Sequence, residues 1–337
     1  MNHYSIRITF CIPVYNVADY IESCIESIIA NVKDINGYEI LCIDDNSTDN
    51  SYAVLQSIAK KYNKVKIFKN EVNSGVSATR NKLIQRAQGR YLWFVDPDDM
   101  LYPGIVKCVL EKAEQHDVDA LLGNFIRVPE THSERFNPIY EISVKQNDRL
   151  KIIPTDVSGE GMCAIWAGVF RKDCLVSNSI LFNEKMIAQE DTLFFFEFGL
   201  KAKRIFCFAE WAYLYRQRAT SVMHSRTPER AIRYYTSMQE MYRIYNQYYC
   251  NGRIEERELI KNKLNHMRQN LALTLAAIND SIFVKRELKK LIEDDIYPYP
   301  KNYINPVGFQ RLITFLLPRK WGFWCLHLLY KLRYKLQ

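Results

Sequence analysis

The chain has 337 residues, which is enough for one large domain with an extension or for two domains. With 48% hydrophobic and 25% charged residues, it has the composition of a globular protein with a sizeable core, which excludes a disordered or low-complexity chain. Most of the net charge of +8 lies in residues 296–337, which contain seven Lys or Arg and no Asp or Glu.

Apolar segments alternate with helical patterns in the first part of the chain. We predict buried strands at 7–14, 39–43, 65–69, 91–95 and 120–128. Strands that alternate with helices predict βαβ units and a largely parallel sheet. Continuous apolar strands fit a sheet that is covered on both faces. Asn16, just after the first strand, is predicted to cap the helix that follows.

Acidic residues follow two of these strands. Asp44 and Asp45 end the second strand, and the segment YLWFVDPDDM places Asp96, Asp98 and Asp99 after the fourth. Ligands of parallel sheets bind beyond the C-terminal strand ends, so both clusters should share one crevice. Carboxylates there can hold a hard cation, bind ribose hydroxyls or accept a proton. The alternative without function is an acidic turn that caps the next helix.

Four strings lie in series within residues 8–101: IPVYNVADYIESCIESI, EILCIDDNSTDNS, NSGVSATRN and GRYLWFVDPDDML. In this order and spacing they resemble family 2 glycosyltransferases of the GT-A fold, a Rossmann-like, mostly parallel sheet flanked by helices. The resemblance continues less sharply through AIWAGVFRKDCL, QEDTLFFFEFGL and YLYRQRATS. It implies transfer of a sugar from a nucleotide-diphosphate donor, usually a UDP-sugar, to a hydroxyl of a saccharide acceptor in surface polysaccharide or glycan assembly.

The resemblance also implies donor-binding residues. Pro13, Tyr15 and Asp44 stand where the family holds the nucleobase, and Asp45 is nearby. Arg80 stands where the family places an arginine that contacts the donor.

The Asp-x-Asp motif of the family corresponds to Asp96 and Asp98. Asp96 is implied on the ribose, and Asp98 on a Mg²⁺ or Mn²⁺ ion that bridges the diphosphate. Asp99 is adjacent and is a candidate assisting ligand. His224 is a candidate further metal ligand, although a lone histidine is more often structural.

The pair Glu190–Asp191 matches the acidic pair of the family, in which the Asp is usually the catalytic base. A base that removes the acceptor proton on the face opposite the leaving group implies a single displacement with inversion. Gln189 departs from the family, where glycine is common at this position.

Further residues have two interpretations. Trp166 is a candidate acceptor-binding residue that stacks on a sugar, or it is buried in the core. The residues Arg216, Arg218 and Ser221 either contact the diphosphate or are solvated.

We predict three regions: a GT-A catalytic domain at 1–225, a helical extension at 226–295 and a basic, aromatic, amphipathic tail at 296–337. The apolar run in the tail is too interrupted to span a bilayer, so we expect it either to bind an anionic membrane surface or to pack on the protein itself. Membrane binding would suit a polyprenyl-lipid-linked acceptor and a cytoplasmic enzyme at the inner face of the cell membrane. Nothing predicts a nucleic-acid partner.

Two other functions compete with glycosyl transfer. A haloacid-dehalogenase-type phosphatase also has Asp-x-Asp after an apolar strand, but it requires Thr or Val next, where this chain has Asp99 and Met100. A catalytically silent nucleotide-binding scaffold at the membrane surface would bind donor without turnover.

The nine scattered cysteines predict reduced thiols, and the N-terminus lacks a secretory signal pattern.

Overall fold

The computed structural model describes residues 4–129, 149–151, 164–217, 227–252, 254–297 and 322–328. The predictions for His224, Arg218 and Ser221 lie outside the described residues. The chain forms two compact units, Met1–Glu184 with Glu190–Ser221 and Lys185–Gln189 with Val222–Gln337. The predicted boundaries at 225 and 295 stay predictions.

Within the described residues, the first unit contains a sheet of nine strands. They are β1 Ile8–Val14, β2 Tyr38–Asp44, β3 Val65–Lys69, β4 Tyr91–Phe94, β5 Met100–Leu101, β6 Ala120–Pro129, β7 Arg149–Lys151, β8 Gly168–Arg171 and β9 Ile205–Gln217. The strand order is β3-β2-β1-β4-β8-β6-β9-β5, and β7 also pairs with β9.

The sheet is parallel at one side and mixed at the other. Strands β3, β2, β1 and β4 are parallel, as predicted from their alternation with helices. Strand β8 runs antiparallel to β4 and β6, and β5 and β7 run antiparallel to β9, while β6 and β9 are parallel. The predicted α/β fold, a sheet flanked by helices, is confirmed, and its largely parallel character holds for the four strands that follow the βαβ pattern.

Helices cover both faces of this sheet. They are α1 Ile21–Asn31, α2 Ser51–Lys61, α3 Val76–Arg86, α4 Ile105–Gln115, α5 Lys172–Ser177 and α6 Glu190–Lys201. Phe10 and Ile12 of β1 pack in one apolar cluster with α1, α2 and α4, and Cys11 packs in another with α3, α5 and α6. This two-sided burial explains why the strands are continuously apolar.

The predicted helix cap at Asn16 is wrong, because α1 begins only at Ile21. Asn16 has a left-handed backbone with φ of 52°. Its Oδ1 accepts a hydrogen bond from the amide of Thr48 at 2.8 Å, and its own amide donates to Ser47 Oγ at 3.0 Å. A long-range contact to the loop after β2 therefore takes the place of local capping.

The second unit is helical in its described part, with α7 Pro228–Asn251, α8 Ile254–Ala277, α9 Ser281–Glu293 and a helical stretch at 322–328. Thr227 caps α7 by accepting a hydrogen bond from the amide of Arg230, and Asp280 caps α9. Among the described helices, none is both long and apolar enough to span a bilayer.

One piece of the predicted tail, 322–328, packs on helices of its own unit. Phe323 and Leu326 are buried, and the Phe323 ring lies 5.8 Å from that of Tyr297. His327 Nδ1 lies 2.9 Å from the carbonyl oxygen of Ala276. For these residues the structure supports packing on the protein itself.

The cysteines within the described ranges are free thiols, as predicted: Cys11, Cys24, Cys42, Cys108, Cys174, Cys207, Cys250 and Cys325. Burial raises the pKa of Cys11, Cys24 and Cys42, which keeps these thiols protonated and unreactive.

Candidate active site

The carboxyl ends of β1, β2 and β4 meet at one edge of the sheet. Val14 at the end of β1 pairs with Asp44 at the end of β2, and the amide of Asp45 donates to the carbonyl of Val14 at 2.7 Å. The amide of Val95 donates to the carbonyl of Cys11 at 3.0 Å. The register therefore places both acidic clusters at the same edge, as a parallel sheet requires.

Asp44 is fully buried and has one unsatisfied oxygen. Its Oδ2 accepts a hydrogen bond from the amide of Ser47 at 3.1 Å, whereas its Oδ1 has no partner among the described residues. A buried acceptor without a donor costs free energy that a ligand N–H can recover. Beside it, Pro13 is buried at the end of β1, and Tyr15 is 45% exposed just after the strand.

Asp45 holds the loop that follows β3. Its Oδ1 accepts hydrogen bonds from Asn70 Nδ2 at 2.7 Å and the amide of Ser74 at 2.8 Å, and its Oδ2 accepts from the amide of Gly75 at 2.8 Å. Both oxygens are thus used within the protein, which makes Asp45 a support of the site. Asn70 was missed by the sequence analysis, although it directly follows a predicted strand; its amide donates to the carbonyl of Asp44.

A second support joins the loops after β1 and β2. Ser51 Oγ accepts a hydrogen bond from the amide of Val17 at 2.8 Å, and Asp49 Oδ2 accepts from the amide of Ala18 at 3.1 Å. Ser51 and Asp49 are also bonded to each other. The loop that carries Tyr15 is therefore fixed to the loop that follows Asp44.

Arg80 on α3 joins three carboxylates. It is 4% exposed, and its Nη2 donates to Asp96 Oδ1 at 3.0 Å. Its Nη1 donates to Glu190 Oε1 at 2.9 Å and to Asp191 Oδ1 at 3.0 Å. One buried guanidinium thus brings the Asp-x-Asp motif and the acidic pair of α6 to the same point.

Asn81, next to Arg80, holds the segment that precedes this pair. Its Nδ2 donates to the carbonyl of Phe182 at 2.9 Å and to Glu184 Oε1 at 3.0 Å, and its Oδ1 accepts from the amide of Phe182 at 2.8 Å. The sequence analysis missed Asn81; its position beside Arg80 in GVSATRN was the available signal.

Two of the carboxylates around Arg80, Asp96 and Asp191, have raised pKa values. Burial raises the pKa of Asp96, Arg80 lowers it and the charge of Asp98 raises it. Burial likewise raises the pKa of Asp191 well above the usual range, with Glu190 raising it further and Arg80 opposing. A raised pKa brings a carboxylate closer to the proton affinity that suits a general base near neutral pH.

Asp98 and Asp99 differ in exposure. Asp98 is partly exposed, whereas Asp99 is buried and its Oδ1 accepts a hydrogen bond from the amide of Arg216 at 2.7 Å. Arg216 is itself buried, donates to Ser23 Oγ at 3.1 Å and lies over the ring of Tyr20. Asp99 and Arg216 therefore tie β9 to the strand end and to α1. The second oxygen of Asp99, Oδ2, is buried and has no partner among the described residues, so its role as a metal ligand stays a prediction, as does the diphosphate contact of Arg216.

Asp98 is the partly exposed carboxylate of this edge that could hold a magnesium or manganese ion. These ions take one or two carboxylates together with substrate phosphates, and no cluster of three or more metal-ligating side chains is found in the described part of the chain. A cation would also relieve the repulsion that raises the pKa of Asp96.

Trp166 is 8% exposed and packs among aromatic rings. Its ring stacks on those of Tyr213 and Tyr215, with ring centroids 4.5 Å and 5.5 Å apart. The structure therefore favours core packing over stacking on an acceptor sugar, because a buried ring offers little surface. Tyr213 in turn accepts a hydrogen bond from the amide of Asp96 at 2.9 Å, so this stack supports the site from behind.

Comparison with known proteins gives a family match for the first half of the chain. Residues 9–172 match the model of glycosyl transferase family 2. Residues 9–172 form a family 2 glycosyltransferase domain. The chain is similar to a Poly(ribitol-phosphate) beta-glucosyltransferase of Bacillus spizizenii, with 32% identity over 62% of this chain and 32% of the relative. It is also similar to the glycosyltransferase EpsJ of Bacillus subtilis, with 23% identity over 86% of this chain and 84% of EpsJ.

A solved structure confirms the GT-A fold. Residues 1–349 of TarS from Staphylococcus aureus, in complex with UDP-GlcNAc, align with a TM-score of 0.61 and 19% identity. The alignment covers 87% of this chain and 93% of that one. The chain spans about a third of the length of the poly(ribitol-phosphate) relative.

The Arg80 cluster generates a stability prediction. Arg80→Met removes the positive charge and leaves Asp96, Glu190 and Asp191 uncompensated, so the free energy of unfolding should fall by about 3–5 kcal/mol. The loss should be larger at pH 8 than at pH 5.5, because the raised pKa values of Asp96 and Asp191 let these two carboxylates take up protons as the pH falls. Urea unfolding at the two pH values measures both effects.

The matched control is Arg86→Met on the same helix. Arg86 is exposed and lies over the ring of Phe68, so its loss should cost less than about 1 kcal/mol at either pH. Equal costs for the two arginine variants would contradict the central role of Arg80.

Proposed function

We propose that this protein transfers a sugar from a UDP-sugar to a hydroxyl group of a surface glycan or related polymer, with inversion at the anomeric carbon. The observation that carries the proposal is the meeting of Asp96 and Asp191 on Arg80, at the strand edge that also holds Asp44. Donor-binding and proton-accepting groups are then neighbours, as a single displacement needs.

The nucleotide would lie over the ends of β1 and β2. The unsatisfied Oδ1 of Asp44 is an acceptor for an N–H of the base, and the exposed ring of Tyr15 offers a face for stacking. Uracil has such an N–H, and the TarS structure was solved with UDP-GlcNAc. Both points support UDP as the nucleotide.

Asp96 and Asp98 would bind the ribose and diphosphate region. When bound at Asp98, a divalent cation supplies Lewis-acid stabilisation of the charge on the leaving diphosphate. Arg80 keeps Asp96 in place through its Nη2, and Asp98 is partly exposed.

Asp191 would act as the general base. The acceptor oxygen attacks the anomeric carbon, the bond from that carbon to the diphosphate oxygen breaks, and the acceptor proton passes to the Asp191 carboxylate. UDP leaves with the electron pair. The raised pKa of Asp191 suits this transfer, and Arg80 orients the carboxylate through its Oδ1.

The relatives support a polymer as the acceptor. The name of the Bacillus spizizenii relative specifies poly(ribitol phosphate), so that polymer heads an acceptor panel that also contains soluble oligosaccharides. The phosphatase alternative has lost its support, because the family model covers the Asp-x-Asp motif. A silent scaffold would bind UDP without turnover, which the experiments below distinguish.

The donor site is tested by calorimetry with UDP and Mn²⁺. Asp98→Ala should remove the metal-dependent part of UDP binding, because its carboxylate would be the main protein ligand. Asp44→Ala should weaken binding with and without metal, because its partner would be the base.

Asp34→Ala is the control for the donor site. Asp34 is exposed and precedes β2, at the opposite end of that strand from Asp44, so UDP affinity should be unchanged. Wild-type affinity in both Asp98→Ala and Asp44→Ala would refute this assignment of the donor site.

The base is tested by Asp191→Asn, which keeps the shape but cannot accept a proton. Since general-base catalysis contributes about 10²–10⁴-fold, kcat should fall by at least about 10²-fold, with UDP affinity little changed.

In the wild-type enzyme, kcat should fall as the pH drops through the raised pKa of Asp191, at a higher pH than for an ordinary carboxylate.

Glu190→Gln is the matched comparison, since Glu190 shares Arg80 Nη1 with Asp191. If Glu190→Gln is the variant that loses turnover, the two roles are exchanged.

NMR of the product should show an inverted anomeric centre. Retention of the donor configuration would exclude the single displacement.

We further propose that the tail brings the enzyme to an anionic membrane, where a polyprenyl-lipid-linked acceptor would be found. Trp324 and Leu328 lie one helical turn apart in 322–328 and are exposed, while Phe323 and Leu326 are buried. Exposed Trp and Leu beside many basic residues are typical of helices at the membrane interface.

Membrane binding is tested with anionic liposomes at low salt. The double variant Trp324→Ala/Leu328→Ala should bind more weakly than the wild type, because its apolar anchor is lost. Ile282→Ala is the control, since Ile282 is a highly exposed apolar residue on α9. If the wild-type protein does not sediment with liposomes, membrane binding is refuted, and the role of the tail is to pack on the protein itself.

A further inference from the structure

The segment that leads into α6 is held by a side chain of α7. Ser237 is 2% exposed, and its Oγ accepts hydrogen bonds from the amides of Ile187 at 3.1 Å and Ala188 at 3.2 Å. Residues 185–189 belong to the same compact unit as α7. The chain then continues directly into α6 at Glu190.

The residue between this contact and α6 has an unfavourable backbone conformation. Gln189 has a φ of 62°, in the left-handed region that a side chain with a Cβ disfavours and glycine adopts freely. Gln189 is also the position at which the sequence departs from the glycine common in the family. Such a conformation persists only where its surroundings enforce it. The two hydrogen bonds to Ser237 restrain the backbone immediately before it.

The direction of α6 at its first turn determines where the acidic pair lies. Glu190 and Asp191 are the first two residues of α6, and both reach Arg80 Nη1. A change in the backbone at Gln189 would rotate this turn and move the Asp191 carboxylate. A general base must lie within hydrogen-bond reach of the proton that it removes, so a small displacement affects chemistry more than donor binding.

We propose that Ser237 is a positioning residue for Asp191, acting through the backbone of residues 187–189. The inference rests on the proposed function, because it takes Asp191 as the general base. It assigns the helical extension a part in turnover. Ser237 touches neither donor nor acceptor in this proposal, and its effect passes along the main chain.

The test compares Ser237→Ala with Thr236→Ala. Thr236 is the preceding residue of the same helix, is exposed and bonds through its hydroxyl to the carbonyl of Ile232. UDP-glucose and UDP-GlcNAc are the donors, with poly(ribitol phosphate) and soluble oligosaccharides as acceptors. Ser237→Ala should lower kcat by about 10-fold or more with little change in donor KM, because the base is misplaced. Thr236→Ala should retain both parameters.

Hydrogen exchange followed by mass spectrometry gives a readout that does not depend on turnover. Peptides that cover 185–191 should exchange faster in Ser237→Ala than in the wild type or Thr236→Ala, while peptides from β1 and β2 should be unchanged. The unfolding midpoint of each variant is measured alongside.

Three results would overturn the proposal: unchanged kcat in Ser237→Ala, a loss of kcat that parallels a loss of donor affinity or of folded protein, or unchanged exchange in 185–191. If the wild-type protein turns over no donor, the proposed function fails separately. Exchange at 185–191 then decides whether Ser237 holds the segment.

Discussion

The site depends on one ion-pair cluster, the buried guanidinium of Arg80 with the carboxylates of Asp96, Glu190 and Asp191. Three carboxylates in a partly buried position repel one another, and each loses hydration. One arginine with a planar, multidentate head can satisfy them together, which a lysine cannot do with the same geometry. The end of β4 and the start of α6 are thereby joined, and groups for binding and for proton transfer come to lie side by side.

Around that cluster, the protein fixes backbone segments through side chains. Asp45 holds the loop after β3, Asn81 holds the segment around Phe182, and Tyr213 holds the amide of Asp96. Ser237 acts in the same way on the segment before α6. In each case a polar side chain bonds to main-chain amides or carbonyls, so the loops at the strand edge are held in place by hydrogen bonds.

The sequence predicted five of the nine strands in the described residues, because each of these five is a continuous apolar run between polar turns. Strands β5, β7, β8 and β9 were not predicted. Strand β3 was predicted at its observed limits, and β1 and β2 within one residue of theirs. The motifs also placed the acidic clusters at one edge, since the ends of parallel strands meet. The predicted helix cap at Asn16 was wrong because Asn16 accepts a hydrogen bond from the amide of Thr48, in a different loop, instead of capping α1.

The partners of individual carboxylates could not be read from the sequence. Arg80 and Glu190 are 110 positions apart, and nothing local in either segment reveals the other. Asp45 and Asp99 resemble ligand-binding acids in their motifs, yet Oδ2 of Asp45 accepts from Gly75 and Oδ1 of Asp99 accepts from Arg216, which approach only when the chain folds. A tryptophan such as Trp166 suits a sugar site from its residue type, but two tyrosines of β9 cover its ring.

The way in which Asp45 holds its loop has a consequence for how this enzyme can diversify. The carboxylate binds the main-chain amides of Ser74 and Gly75, while the side chain of Val72 in the same loop is exposed. Because amides are common to all residues except proline, the contacts to Ser74 and Gly75 do not depend on the side chain at position 72. Outward-facing positions such as 72 can therefore accumulate substitutions under drift or in a directed-evolution library, while the frame beneath them is inherited intact.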